Sequence, residues 1–297
     1  MKKLLILSTV ALALFACSKK DASVEKDGKS RFYATTEKNI ILGSKVFADE
    51  DLKVMWNEDD RISIFNRNTI NSQYAFYGED GDTGGDFEEV PSNGTTTGTD
   101  LEHIYAVYPF SNSTQINGTG SQITVNLPAD QAFKEHSFGI GANTMVAVTD
   151  NNFLGFKNVC GYLKFSFYGN NEQVSSVKLE GKNGEKIAGK AYVSPVFGGT
   201  HTVAMDETAT GIITINCADP VTIGSSSAEA TDFIFVIPPT TFTGGFKITI
   251  TNPSGKVVEK GSSRSLTISR NKMESMKAIF IDFPISGGHE GITEEDW

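Results

Sequence analysis

Apolar and polar residues alternate with a period of two along much of the chain. Ile123, Val125 and Leu127 are separated by Thr124 and Asn126. Leu163, Phe165 and Phe167 are separated by Lys164 and Ser166, and Phe246, Ile248 and Ile250 by Lys247 and Thr249. Successive side chains of a strand point to opposite faces, so each run predicts a half-buried strand with one apolar face. Asn183-Gly184 predicts a two-residue hairpin turn between residues 177–179 and Ile187, because both residues tolerate the positive φ such a turn needs. Asn252-Pro253-Ser254-Gly255 separates the strand over 246–250 from Lys256-Val257-Val258 in the same manner. Residues 78–85 and 92–99 read as polar, Gly-rich loops. No long segment keeps a helical period, and residues 272–276 are the best short helical candidate. Many short strands between Gly-rich turns predict an all-β fold of sandwiches or barrels. There is no internal repeat.

The ends change this picture. Met1-Lys2-Lys3 is a basic start, and residues 4–15 are apolar apart from Ser8 and Thr9. Leu14-Phe15-Ala16-Cys17 follows. A basic start, a short apolar run and a small residue before the cut form a signal peptide. The run is shorter than the ~20 residues that span a bilayer. Cys17 stands where a bacterial lipoprotein signal places its acceptor thiol, so residues 1–17 are expected to be the signal and Cys17 the lipid attachment. Two or more acyl chains hold a protein stably at a membrane where one does not. Residues 18–30 are rich in Lys, Asp and Ser, a composition expected of a flexible tether. The rest suits two domains, over 31–152 and 153–285, with the boundary at the polar Asn151-Asn152 turn. An acidic tail over 286–297, carrying Gly287, Gly288 and Glu294-Glu295-Asp296, is expected to be unpacked.

A net charge of −10 without any Lys/Arg-rich cluster removes nucleic acid as a partner. Of three cysteines, Cys160 and Cys217 remain once Cys17 carries lipid. An oxidising compartment permits a disulfide between them, and two buried free thiols are the equal alternative. His103, His136, His201 and His289 are scattered without metal-ligand spacing. No nucleophile elbow or phosphate loop is present, so no enzyme activity and no cofactor is expected. Glu79, Asp80, Asp82 and Asp86 cluster in one Gly-rich stretch. Calcium binding is one reading of it and a solvated turn the other, since the spacing is not that of an EF-hand. Tyr74, Phe76 and Tyr77 could stack on sugar rings, but Tyr74 and Phe76 share a face and read as core. Trp56 and Phe65 are likewise expected in the core of the first domain.

Several segments, in order, resemble the fimbrillin-like lipoprotein family of Gram-negative bacteria. Phe32-Tyr33-Ala34-Thr35 resembles the family's opening strand. Trp56, then Asp59-Asp60-Arg61-Ile62-Ser63-Ile64-Phe65, resembles its Trp, turn and strand, with Asp59 where Gly is usual. Tyr105-Ala106-Val107-Tyr108-Pro109 and Leu127-Pro128 with Gln131 resemble two further motifs. Phe156-Lys157 to Leu163-Lys164-Phe165 resembles the opening of its second domain. Phe233 to Pro239 with Gly244-Gly245, and Ile268 to Asn271 leading to the segment from Met276 to Phe283, resemble its closing strands. The resemblance implies two transthyretin-like β-sandwich domains in tandem and a structural or adhesive role at the outer membrane or in a fimbrium. It also implies partner subunits joined by strand addition, in which an unpaired sheet edge gains main-chain hydrogen bonds, and proteolysis after an early Arg. Arg31 is the only Arg before Arg61. Lying ahead of the first strand, it would release the tether and open little. With no alternating strand at the C-terminus to donate, a tip or anchor component is expected rather than a polymerising stalk. Host or glycan ligands are possible partners. The alternative is a surface glycan-binding lipoprotein of a nutrient uptake system, which solvent-facing Trp would mark. The chain has two Trp, Trp56 and Trp297.

Overall fold

The computed structural model describes residues 30–37, 40–41, 54–91, 100–284 and 293–294. Cys17, tether residues 18–29 and the loop over 92–99 lie outside the described residues. The chain opens with β1 (Arg31–Thr36), β2 (Ile40–Ile41), β3 (Arg61–Phe65), β4 (Ser72–Tyr77), β5 (Gly84–Glu89) and β6 (Ile104–Tyr108). Next come β7 (Gln115–Ile116), β8 (Ile123–Leu127), β9 (Asp130–Lys134), β10 (Ser137–Phe138), β11 (Met145–Thr149) and β12 (Phe153–Asn158). The second half holds β13 (Gly161–Gly169), β14 (Gln173–Gly181), β15 (Gly189–Ser194), β16 (Thr202–Met205), β17 (Ile212–Thr222) and β18 (Thr231–Ile237). It ends with β19 (Thr240–Phe242), β20 (Phe246–Thr251), β21 (Val257–Ser262), β22 (Leu266–Ile268), β23 (Lys272–Ser275), β24 (Ile279–Ile281) and β25 (Thr293–Glu294). Among the described residues, one 3₁₀ turn, Ser227–Glu229, is the only helical element. The all-β class is as the alternation requires.

Seven strands close on themselves in the order β1-β12-β11-β6-β3-β4-β5, with β5 returning to β1. Closure removes sheet edges altogether. Inside lie Phe32, Ile62, Ile64, Tyr74, Phe76, Phe87, Leu154 and Phe156 around Trp56. The Trp56 ring meets Phe87, Tyr108 and Phe156 edge-on at centroid distances of 5.0, 5.4 and 5.6 Å. Edge-to-face contacts of this kind add to the burial of the rings. The expected boundary at 152/153 falls between β11 and β12, which pair within this barrel. The N-terminal sheet thus runs on to Asn158, because Leu154 and Phe156 point into the barrel core.

The second half is a sandwich. A seven-stranded sheet, β10-β9-β17-β14-β20-β21-β25, faces a five-stranded one built on β18-β13-β23-β2, with β24 also on β13. Phe165, Phe167, Phe233, Phe235, Phe246, Leu179, Ile248 and Ile250 fill the space between. A smaller sheet, β16-β15-β8-β7, packs on a middle cluster. To that cluster the barrel contributes Phe65, Val107 and Val146, and the sandwich contributes Tyr162, Ile234, Val236 and Met273. Trp56 and Phe65 are both fully buried, but on opposite sides of the barrel wall. The halves also share sheets, since β8 pairs with β15 and β9 with β17.

Three local expectations change. Residues 272–276 are not helical: Lys272–Ser275 forms β23, paired in parallel with β13 through Tyr162 and Met273. Gly84-Gly85 belongs to β5 rather than to the loop before it. Asn183-Gly184 does turn, with Gly184 at φ +70°, but β15 leaves to join β8 and β16. Glu185 holds that turn to the one at Thr243, accepting the N–H groups of Asn183 and Thr243 at 3.1 and 3.0 Å.

Candidate functional site

Besides the residues singled out by the sequence, the fold draws attention to three places: the start of β1 at Arg31, the sheet edges and the junction between the halves. Arg31 is the first residue of β1, not a residue ahead of it. It stands opposite Glu88 of β5, and its guanidinium Nη2 lies 2.7 Å from Glu88 Oε1. That cross-strand ion pair carries the ladder one residue further than the apolar pattern suggested. β1 is gripped from both sides, antiparallel by β5 and parallel by β12. Beyond the ladder, the Glu37 N–H donates to Phe156 O at 3.0 Å. Cutting after Arg31 would leave Phe32 to Thr36 paired and Phe32 and Ala34 in the core.

Among the described residues, open sheet edges lie outside the barrel. β18 lies at the end of its sheet, and there Gln131 stands in for a neighbouring strand. Its Nε2 donates to Val236 O at 2.8 Å, and Val236 N–H donates to its Oε1 at 3.0 Å. A planar side-chain amide reproduces both groups of a peptide unit, so this part of the edge is satisfied. The tail expected to be unpacked is in contact at Thr293 and Glu294, which lie in parallel with Lys260 and Gly261 of β21.

Beside the apolar middle cluster, the junction carries a buried polar network. Asn143 Nδ2 donates to Asn158 Oδ1 at 2.7 Å, and Asn158 Nδ2 donates to Asn271 Oδ1 at 2.6 Å. Glu37 accepts from the Asn158 N–H and from the Arg270 guanidinium. Arg270 also donates to Asn158 O at 2.9 Å. This network ties the end of the barrel strand β12 to the turn before β23. Alongside, His201 is 4% exposed. Its Nδ1 accepts from Val196 N–H at 3.0 Å, and its Nε2 lies 3.0 Å from Val146 O. A backbone N–H only donates and a carbonyl only accepts, so the proton sits on Nε2. Burial pushes this imidazole down to about 4, and the nearby Lys157 and Arg270 charges act in the same direction. His201 thereby fastens the β15–β16 turn to the barrel strand β11.

The remaining candidates do not converge. Cys160 and Cys217 are free; Cys160 packs in the middle cluster and Cys217 against the sandwich core. Burial raises their thiols to about 12 and about 11, which makes both poor nucleophiles. Asp80 Oδ1 accepts from Glu58 N–H at 2.9 Å and Asp82 Oδ2 from Glu79 N–H at 3.0 Å. The acidic loop thus spends one carboxylate on its own backbone and one on the turn before β3. Among the described residues, no group of three His, Cys, Asp or Glu is placed to hold a metal ion. His103 pairs with Asp150 at 2.6 Å, His136 lies beside Glu135, and His289 is outside the described residues. Tyr74 and Phe76 are core and Tyr77 is exposed. Sequence reasoning missed the roles of Gln131, Asn158 and His201. Gln131 stood in a quoted motif, but only the fold places β18 beside it.

No protein-family model and no curated protein sequence matches the chain. Solved structures do. A candidate cell adhesion protein from Bacteroides uniformis has a TM-score of 0.44 at 14% identity, over 86% of this chain and 94% of that one. The tip fimbrial protein Mfa3 from Porphyromonas gingivalis has a TM-score of 0.31 at 12% identity, over 78% of this chain and 81% of that one. A candidate cell adhesion protein from Bacteroides ovatus has a TM-score of 0.50 at 13% identity. Covering 90% of this chain and 99% of that one, it shares this chain's fold nearly end to end.

Proposed function

We propose that the chain is a fimbrillin-like lipoprotein of the outer membrane surface with a structural or adhesive role, serving as a tip or anchor component and not as an enzyme. The observation that carries this reading is the fold held in common with the Bacteroides ovatus cell adhesion candidate. The tandem transthyretin-like arrangement, the lipid on Cys17 and strand addition from partner subunits are parts of the same reading. The closed barrel supports the tip or anchor assignment. A stalk subunit must give up its first strand to open a groove, and β1 is paired on both sides. The glycan-uptake alternative loses its marker at Trp56, which is buried in the barrel.

The test is immunogold labelling of intact cells that express the chain or its Cys17→Ala variant. Label on the cell envelope or at fibre ends, lost with Cys17→Ala, is the expected result. Absence of surface label in both strains, with the chain detected in their lysates, contradicts the proposal.

A further inference from the structure

One row of side chains crosses four neighbouring strands on the outer wall of the barrel. Tyr77 of β4 stands opposite Asp86 of β5, Asp86 opposite Tyr33 of β1, and Tyr33 opposite Phe153 of β12. Their neighbours Phe76, Phe87, Phe32 and Leu154 point into the core, so the row faces out. Tyr77 is 70% exposed, Tyr33 45% and Phe153 50%. Three large rings on one row of a monomer's surface are uncommon, and such groupings mark interaction sites. The Tyr33 and Phe153 rings lie nearly parallel, 19° apart with centroids at 6.0 Å. The next row of the same face is Gly84, Thr35 and Gly155, which leaves low ground beside the rings. A Cβ on Gly84 would come within 3.1 Å of the Tyr33 hydroxyl.

Charge selects the occupant. In the row on the other side, Glu88 is neutralised by Arg31. Asp86 makes no ion pair among the described residues, and Glu79, Asp80 and Asp82 sit in the loop that leads to its strand. The face therefore joins aromatic rings to an uncompensated carboxylate. A second copy of a chain of net charge −10 or an anionic membrane would be repelled there. A guanidinium suits it: planar and permanently charged, it stacks on ring faces and meets a carboxylate with two parallel N–H donors. Cross-strand neighbours stand ~5 Å apart, so a group paired to Asp86 lies within the ~6 Å reach of cation–π attraction from the adjacent tyrosines.

We propose that the Tyr77–Asp86–Tyr33–Phe153 row is a docking site for an arginine side chain presented by a basic partner protein. This extends the surface-protein reading by naming a partner chemistry, and it is tested in solution, so either can fail without the other. The purified full chain in detergent is titrated calorimetrically with a flexible Gly/Ser peptide carrying several arginines. The same peptide with citrulline, the uncharged isostere, and a neutral oligosaccharide serve as comparisons. Saturable binding of the arginine peptide is expected, weakened about tenfold by citrulline, by Asp86→Asn and by Phe153→Ala. Glu135→Gln, elsewhere on the surface, should leave it unchanged. Circular dichroism of each variant checks that the barrel is intact, and Asp86→Asn, a partly exposed isosteric change, does not depend on the core. Equal binding of the arginine and citrulline peptides overturns the proposal, as does equal binding to wild type and Asp86→Asn. So does Asp86-dependent binding of the oligosaccharide alone, or self-association of the chain through this face.

Discussion

The barrel returns β5 to β1, whereas the sandwich stops: its seven-stranded sheet ends on β10 and β25, and its five-stranded sheet on β18 and β2. Both regions bury a full set of aromatic rings. They differ in what happens to the last backbone groups. The barrel satisfies them with its own strands, and the sandwich does so with borrowed pieces. Gln131 lends an amide to β18, and Thr293–Glu294 lies along β21. An open edge is a place where another chain can pair, and a closed sheet offers none. Among the described residues the open edges all lie outside the barrel, and β1, the segment beside Arg31, is paired on both sides.

The comparison breaks first if the barrel core can be emptied without consequence. Truncating a buried Trp costs about 3–5 kcal/mol, so Trp56→Ala should lower the denaturation midpoint by the largest margin. Phe165→Ala in the sandwich should shift the same single transition, because the middle cluster couples the halves. Two separate transitions, each answering to one variant, would show that the regions fold independently.

Acid sharpens the junction. His201 has a folded value of about 4 against an ordinary 6.5. The unfolded chain binds this proton more readily, so stability is fully present above about 6.5 and falls as pH drops towards 4. The loss at this one group is of the order of 3 kcal/mol. Protonation at Nδ1 would set an N–H against the Val196 N–H. Denaturant midpoints measured from pH 7 to pH 4 should fall for wild type and fall less for His201→Gln. Equal slopes would remove His201 from the account.

Gln131→Ala tests the borrowed edge. It leaves the Val236 N–H and C=O without their partner, a cost of about 1–3 kcal/mol. It should also promote concentration-dependent association seen by light scattering. The smallest effect is expected at the start of β1: Arg31→Ala removes a partly exposed ion pair worth less than about 1 kcal/mol and should leave the thermal midpoint nearly unchanged.

The sequence carried the strands well where one face is apolar and the other polar, as at β8, β13 and β20. It carried the interior of the barrel through Trp56, Ile62 and Ile64. Closure was out of its reach, because Tyr33 and Phe153 pair across a long stretch of chain and no local pattern encodes that register. β23 was misread because four residues hold too little alternation to oppose a helical reading. The interleaving of the halves through β8 and β9 likewise depends on partners in the other half of the chain. Gln131 and His201 are ordinary polar residues in sequence. Their roles come from a backbone that tertiary folding brings to them.

The central claim is that the barrel keeps β1 and that this chain does not polymerise by itself. The direct test is to treat the purified chain with an Arg-specific protease and follow it by size-exclusion chromatography and denaturing gel. The account predicts a monomer throughout, with a cut after Arg31 releasing only the segment before Phe32 and leaving β1 paired on both sides. A detergent-resistant ladder made of this chain alone would contradict it.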